Sequence, residues 1–195
     1  REIVSAYISG ARTIIALGEK DKIRISKDIA KQFLNLELIE NEDGRAVFKD
    51  LLDMEDLNVE NFLRRMDNNI REMFTIIETI HKTKKLPGHI KEIEEIDADI
   101  TKFYFLIWRI MNMGIQNPTI QSNLKVDVKS FVNFFWISYN LEQIGDELKR
   151  IATKLNKAGV ESVLFNEVLK SIIDAYGDSM KSFFDNDKSL AKKLI

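Results

Sequence analysis

Residues 140–152 read NLEQIGDELKRIA, and the spacing of their side chains decides the fold. Leu141, Ile144, Leu148 and Ile151, with Phe134 before them and Leu155 after, recur at bundle spacing, the pattern of an amphipathic helix with one buried stripe. On the same helix Glu142 and Asp146 stand one turn apart, with Gly145 between them. Carboxylates at i and i+4 project from one side of a helix, so their oxygens can converge on a single cation or a cationic partner. At about 100° per residue both fall roughly 100–140° round from Leu141, at the rim of the buried stripe. Two readings follow: a site at the edge of the core, or a solvated acid pair that borders it.

Working outward, the same periodicity predicts three more long helices. One covers about 59–82, on Phe62, Met66, Ile70, Met73, Ile77 and Ile80. After a break over 83–88 that ends in Pro87-Gly88, a second covers about 90–115 and stops near Asn117-Pro118. The helix of the quoted stretch covers about 126–156 and ends toward Gly159. The last covers about 162–185, on Val163, Val168, Ile172, Ala175, Met180 and Phe183, and residues 188–195 open another. Helices of this length joined by short breaks make an antiparallel bundle.

The first 50 or so residues read differently. Residues 12–17 (RTIIAL) form a short β-branched run. Residues 23–34 carry a helical pattern with Ser26 as the expected N-cap. Two partly alternating runs, LELIE at 36–40 and RAVFK at 45–49, flank Asn41-Glu42-Asp43-Gly44, a hairpin signal. The expected order is αβαββ. The division is a small α/β segment over 1–53 and a helical bundle over 54–195, mainly α overall.

Composition narrows the function classes. The 195 residues are 45% hydrophobic, enough for a core, and 31% charged. Two prolines and eight glycines favour long helices over loops. A net charge of -2 selects neither nucleic acid nor an acidic membrane. The absence of cysteine removes disulfides, thiolate nucleophiles and thiolate metal sites together, and it fits a reducing compartment. The most apolar run, 103–115, is interrupted by Arg109 and Asn112 and is too short to span a bilayer. The chain begins at Arg1, so a fragment of a longer protein is expected.

The second long helix supplies further acids. Asp97 lies about 60° and Glu94 about 120° from Ile100, on one rim, with Asp99 on the other side. If that helix neighbours the quoted one, Glu94 and Asp97 face Glu142 and Asp146, an oxygen-rich arrangement of the kind that builds metal sites between bundle helices. Glu-x-x-His occurs once, at Glu78–His81, near a helix end. His81 and His89 flank the break, and Arg64-Arg65 is a weak anion contact at best. Met66, Met73, Met111, Met113, Trp108 and Trp136 read as core filler. No P-loop, dinucleotide fingerprint, catalytic triad or basic recognition helix is present, so an enzyme is the poorer expectation.

Leu141-Glu142-Gln143-Ile144-Gly145-Asp146 resembles the Leu-Glu-Arg-Ile-Gly-Asp stretch of PhoU-type phosphate-uptake regulators, on the third helix of a three-helix repeat. Residues 101–109 (TKFYFLIWR) resemble the aromatic second helix of archaeal members, and Leu63-Arg64-Arg65-Met66 the start of their first. The stretch LELIENEDGRAVFKDLLD is similar to the hairpin that precedes the helices in archaeal proteins with an upstream AbrB-like DNA-binding domain. The resemblance implies a cytoplasmic, non-enzymatic regulator of phosphate homeostasis. It would be a helical, dimeric scaffold for a phosphate transporter or its signalling partners, with nucleic acid reached only through an upstream domain.

Some family members hold iron or zinc clusters on pairs written Glu/Asp-x-x-x-Asp. Glu142 and Asp146 match such a pair. Asp97 matches the first position on the second helix, where Thr101 takes the second, and Arg150 stands where many members have Asn. The expected metal residues are thus Glu142, Asp146, Asp97 and Glu94. The helix over 162–185 would begin a second repeat. The alternatives are a metal-dependent hydrolase using the same carboxylates, and a helical adaptor with no metal.

Overall fold

The computed structural model describes residues 1–53, 57–83, 87–158 and 163–194. Its first elements are helix α1 (Glu2–Ile8), strand β1 (Thr13–Leu17), helix α2 (Lys20–Ala30), and strands β2 (Leu36–Glu42) and β3 (Arg45–Asp50), the αβαββ order expected. The hairpin turns at Gly44, whose φ of +72° lies in the left-handed region that glycine enters without strain. Antiparallel β2 and β3 run from Glu42 opposite Arg45 to Leu36 opposite Asp50, with an irregularity between Leu38 and Glu40. The other edge of β3 pairs antiparallel with β1, so β3 is the middle strand. Tyr7, Ile14, Ile23, Phe33, Ala46 and Phe48 are buried together between this sheet and the two helices. Ser26 does not cap a helix. It is buried inside α2, where its hydroxyl donates to the Ile23 carbonyl, and the helix starts six residues earlier, after Glu19.

Among the described residues six helices follow: α3 (Val59–Thr83), α4 (Pro87–Gln116), α5 (Pro118–Leu124), α6 (Val128–Ala158), α7 (Val163–Phe184) and α8 (Lys188–Lys193). The four long ones sit where the periodicity places them. Helix α4 begins at Pro87, because proline's fixed φ suits a first helical turn. Residues 84–86 of the expected break, the helix end toward Gly159 and the start at Ser162 lie outside the described residues, and so does the bundle side of the 53/54 boundary. The short α5 was not anticipated. Asn117 caps it, its side-chain oxygen accepting from the Thr119 amide at 3.0 Å.

Helices α3, α4 and α6 make the bundle core. Leu63, Met66, Ile70, Met73 and Ile77 of α3 are fully buried against Ile93, Ile100 and Ile110 of α4 and against Phe131, Leu141 and Leu148 of α6. Each such side chain stabilises the fold by roughly 1.5–3 kcal/mol through the apolar area it removes from water. Two glycines set how closely the helices approach. A Cβ on Gly114 would lie 2.5 Å from the buried Phe131 ring, and one on Gly145 would lie 3.2 Å from Ile100 Cδ1 and 3.5 Å from Ile70 Cδ1. Gly145 therefore lets α6 settle onto α4 and α3 together.

Helix α7 corrects one expectation. Its buried residues are Leu169, Tyr176 and Met180, whereas Val168 and Ile172 are exposed. The helix is apolar on two sides, so periodicity alone could not choose the face that meets α3. Tyr176 anchors that face: its hydroxyl donates to Asp67 Oδ1 at 2.8 Å, and Arg71 Nε donates to the same oxygen at 3.0 Å.

The α/β segment is tied to the bundle by Arg109 of α4, which is fully buried. Its guanidinium donates to Asp50 Oδ2 at 2.6 Å and to the carbonyls of Tyr7 and Ala11, and it lies over the Tyr7 ring. Asn112 adds a bond to the Ile8 carbonyl, and Phe33 meets Phe105 edge-on. A residue read as an interruption of an apolar run is the centre of the junction.

Candidate functional site: the α4–α6 seam

Helices α4 and α6 run antiparallel along their length, with Trp108 beside Phe135, Tyr104 beside Tyr139, and Asp97 opposite Asp146. The close approach at Gly145 brings the last pair together, since its Cα side faces Asp97 as well as Ile100. Of the four carboxylates expected from the sequence, the structure places three near one another. Asp97 is mostly buried, Asp146 is half-exposed, and Glu142 is half-buried one turn before Asp146. Glu94 lies one turn further along α4, exposed, and among the described residues it joins none of the bonds of the seam.

Lys149 is the residue that sequence reasoning missed. Its ammonium donates to Asp97 Oδ2 at 2.6 Å and to Asp146 Oδ1 at 2.7 Å, so one cation bridges the two helices. The signal was available: Lys149 follows Asp146 by three residues inside the quoted stretch, a spacing that puts both on one helix face. Arg150 points elsewhere and pairs with Glu147.

The charges shift accordingly. Burial pulls the Lys149 ammonium toward its neutral form, but the bonds to Asp146 and Asp97 outweigh that and hold its pKa above the ordinary lysine value. Burial pushes the Glu142 carboxyl above the usual carboxylate range; the Gln143 side chain opposes the rise, Asp146 and Asp97 add to it, and the Lys149 ammonium works against it. Tyr104 is pushed up to about 12 by burial, with the charges of Glu142 and Tyr139 contributing.

The other sequence candidates are not part of this seam. The His81 ring packs on Phe165 of α7 with a centroid distance of 4.7 Å, and His89 contacts Glu92 at 3.2 Å. Arg64 pairs with Glu60 and lies over the Phe184 ring, while Arg65 covers Phe103. Lys149 is bonded to both Asp97 and Asp146, so a metal ion held by these two carboxylates would have to displace its ammonium. Thr101, one turn beyond Asp97, offers only a neutral oxygen. Among the described residues, no three His, Cys, Asp or Glu side chains are grouped so as to hold a metal ion.

The structure is an antiparallel bundle with a glycine-dependent contact and a charged seam between its second and third long helices, and one known family matches that part of the chain. Residues 63–155, from the first buried turn of α3 almost to the end of α6, match the PhoU domain, and the chain carries a PhoU domain over that stretch. The PhoU domain supports, at the level of its family, a role in the regulation of phosphate homeostasis, and the proteins of that family are regulators rather than enzymes. No curated protein and no solved structure matches the chain at a significant level. Among the described residues no helix is long and apolar enough to cross a membrane.

Proposed function

We propose that this chain is a non-enzymatic regulator of phosphate uptake that works in the cytoplasm as a dimeric helical scaffold and docks to a phosphate transporter or a signalling component. The observation that carries this reading is the PhoU match over α3–α6, the helices that build the core and the seam. The test is deletion of the gene, with phosphate uptake followed at high and low external phosphate. Uptake that stays high in rich phosphate, and returns to normal when the gene is restored, supports the reading; unchanged uptake sinks it.

A second reading keeps the metal. Iron or zinc would be held by Glu142, Asp146 and Asp97, with Glu94 at the edge. In its favour, a single cation already bridges Asp97 and Asp146, although that cation is Lys149. The metal therefore requires the lysine to turn away. Elemental analysis of protein purified without chelators separates the two: metal in the parent, lost in Glu142→Ala/Asp146→Ala, supports the metal reading. Metal that is absent from the parent and gained by Lys149→Ala means that the lysine has replaced it. A hydrolase using these carboxylates predicts turnover of phosphate esters, which the regulator does not.

A further inference from the structure

The α4–α6 seam changes character along its length. At one end five aromatic rings form a continuous sheet of contacts: Trp108 to Phe135 at 5.6 Å, Tyr104 to Phe135 and to Tyr139 at 6.2 Å each, and Trp136 to Tyr139 at 5.8 Å. Core packing does not account for all of this cluster, because Trp136 is 55% exposed and Tyr139 36%. A large indole left half in water is the kind of side chain that anchors interfaces. Along the same face of α6, Glu142 and Asp146 follow Tyr139 by three and seven residues, and Asp97 and Glu94 lie opposite on α4.

This acidic end carries four carboxylates and one ammonium, that of Lys149. Among the described residues no cation is bonded to Glu142; its side-chain partner is Gln143. Lys102 of α4 pairs with Asp99, and Arg150 of α6 pairs with Glu147. The seam thus presents an aromatic platform followed by an excess of negative charge.

We propose that this face docks a basic amphipathic helix of another protein, its apolar side chains on Trp136 and Tyr139 and its Lys or Arg side chains reaching Glu142 and Glu94. Charge complementarity selects this occupant. An anionic lipid surface would accept the aromatic rings but be repelled by the carboxylates. A cation arriving at Glu142 meets a carboxylate that is partly desolvated and repelled by Asp146 and Asp97, an effect that Lys149 and Gln143 offset only in part. The rise from Trp136 to Glu142 is about 9 Å and to Asp146 about 15 Å, so an apolar anchor and a cation two to three turns apart on the partner helix match both ends. The proposal rests on the protein-docking reading above and names the chemistry of the partner.

The test is fluorescence anisotropy of a labelled, synthetic Leu- and Lys-rich amphipathic helix of about five turns against the full chain, repeated with the same peptide carrying Glu for Lys. Expected are saturable binding of the Lys peptide alone, at least a tenfold loss in Trp136→Ala and in Glu94→Gln/Glu142→Gln, and weakening with added salt. Trp136 is largely exposed and the Gln variants keep side-chain shape, so circular dichroism should confirm that each variant is folded. Equal binding of the Glu peptide, or binding that the variants leave unchanged, overturns the proposal. So does a Trp136 signal that responds to phosphatidylserine vesicles and not to the peptide, or a dimer of this chain that dissociates in Trp136→Ala. The peptide measurement is blind to phosphate. Its failure leaves the phosphate reading standing, whereas unchanged uptake on deletion removes that reading without touching the peptide result.

Discussion

At the scale of single residues the seam is a set of opposed charges whose effects on stability have opposite sign. Lys149 has a folded pKa above its unfolded one, so its contribution is fully present below the ordinary lysine range and is lost as pH rises through the raised folded value. Lys149→Met is expected to lower the denaturation midpoint at neutral pH by about 1 kcal/mol equivalent, because the pair is partly exposed and leaves Asp97 unpaired. The deficit should vanish in strong alkali. Glu142 also has a raised folded pKa, but for a carboxyl this means that ionisation weakens the fold: its stabilising term is present below the usual carboxylate range and lost as pH rises. Glu142→Gln should therefore stabilise the protein at neutral pH by up to about 1 kcal/mol, with the gain disappearing in acid. Urea titrations across pH check both, and a pH-independent difference would contradict the charge assignment.

At the scale of elements, two helix glycines are kept for packing. Alanine is about 1 kcal/mol the better helix former, so a free surface glycine would gain from the exchange. Gly114→Ala should instead destabilise by about 1–3 kcal/mol, since the new methyl meets the enclosed Phe131 ring at 2.5 Å. Phe131→Leu in the same chain should recover part of the loss, and thermal melts of the three proteins would show it. At Gly145 the nearest neighbour is a side-chain tip at 3.2 Å, so valine rather than alanine is the informative change. Gly145→Val should push α6 away from α4 and lengthen the Lys149 bridge. The helices themselves were legible because a 3.6-residue repeat names the apolar face of each one. The face of α7 was not, because Val168 and Ile172 compete with Leu169 and Tyr176, and only the position of α3 decides between them.

At the scale of the whole molecule, Arg109 and Asp50 join two buried clusters. Removing one member of a buried, hydrogen-bonded pair strands the other charge, which typically costs about 3–5 kcal/mol. Arg109→Ala is expected to cost that much and to expose the first 53 residues to proteolysis before the bundle unfolds. Arg109→Leu with Asp50→Leu should cost less than Arg109→Ala, because no charge is left without its partner. Equal cost in the two would mean that the guanidinium's bonds to the Tyr7 and Ala11 carbonyls, not the ion pair, hold the junction.

The local sequence determined the four long helices, the αβαββ order of the first 50 or so residues, and the placement of Glu142, Asp146 and Asp97 on helix rims. Each of these follows from spacing along one element, and spacing is a property of the chain alone. What lies across from each rim was decided by tertiary structure. Lys149 joins Asp97 to Asp146 only because Gly145 lets α6 reach α4, and Arg109 is a junction only because Asp50 is brought to it from 59 residues away. Trp136 and Tyr139 are exposed because α4 and α6 cover each other along one strip and leave the rings at its margin. Periodicity states which face of a helix avoids water; the neighbour that meets that face, and the charge waiting there, belong to the packed molecule.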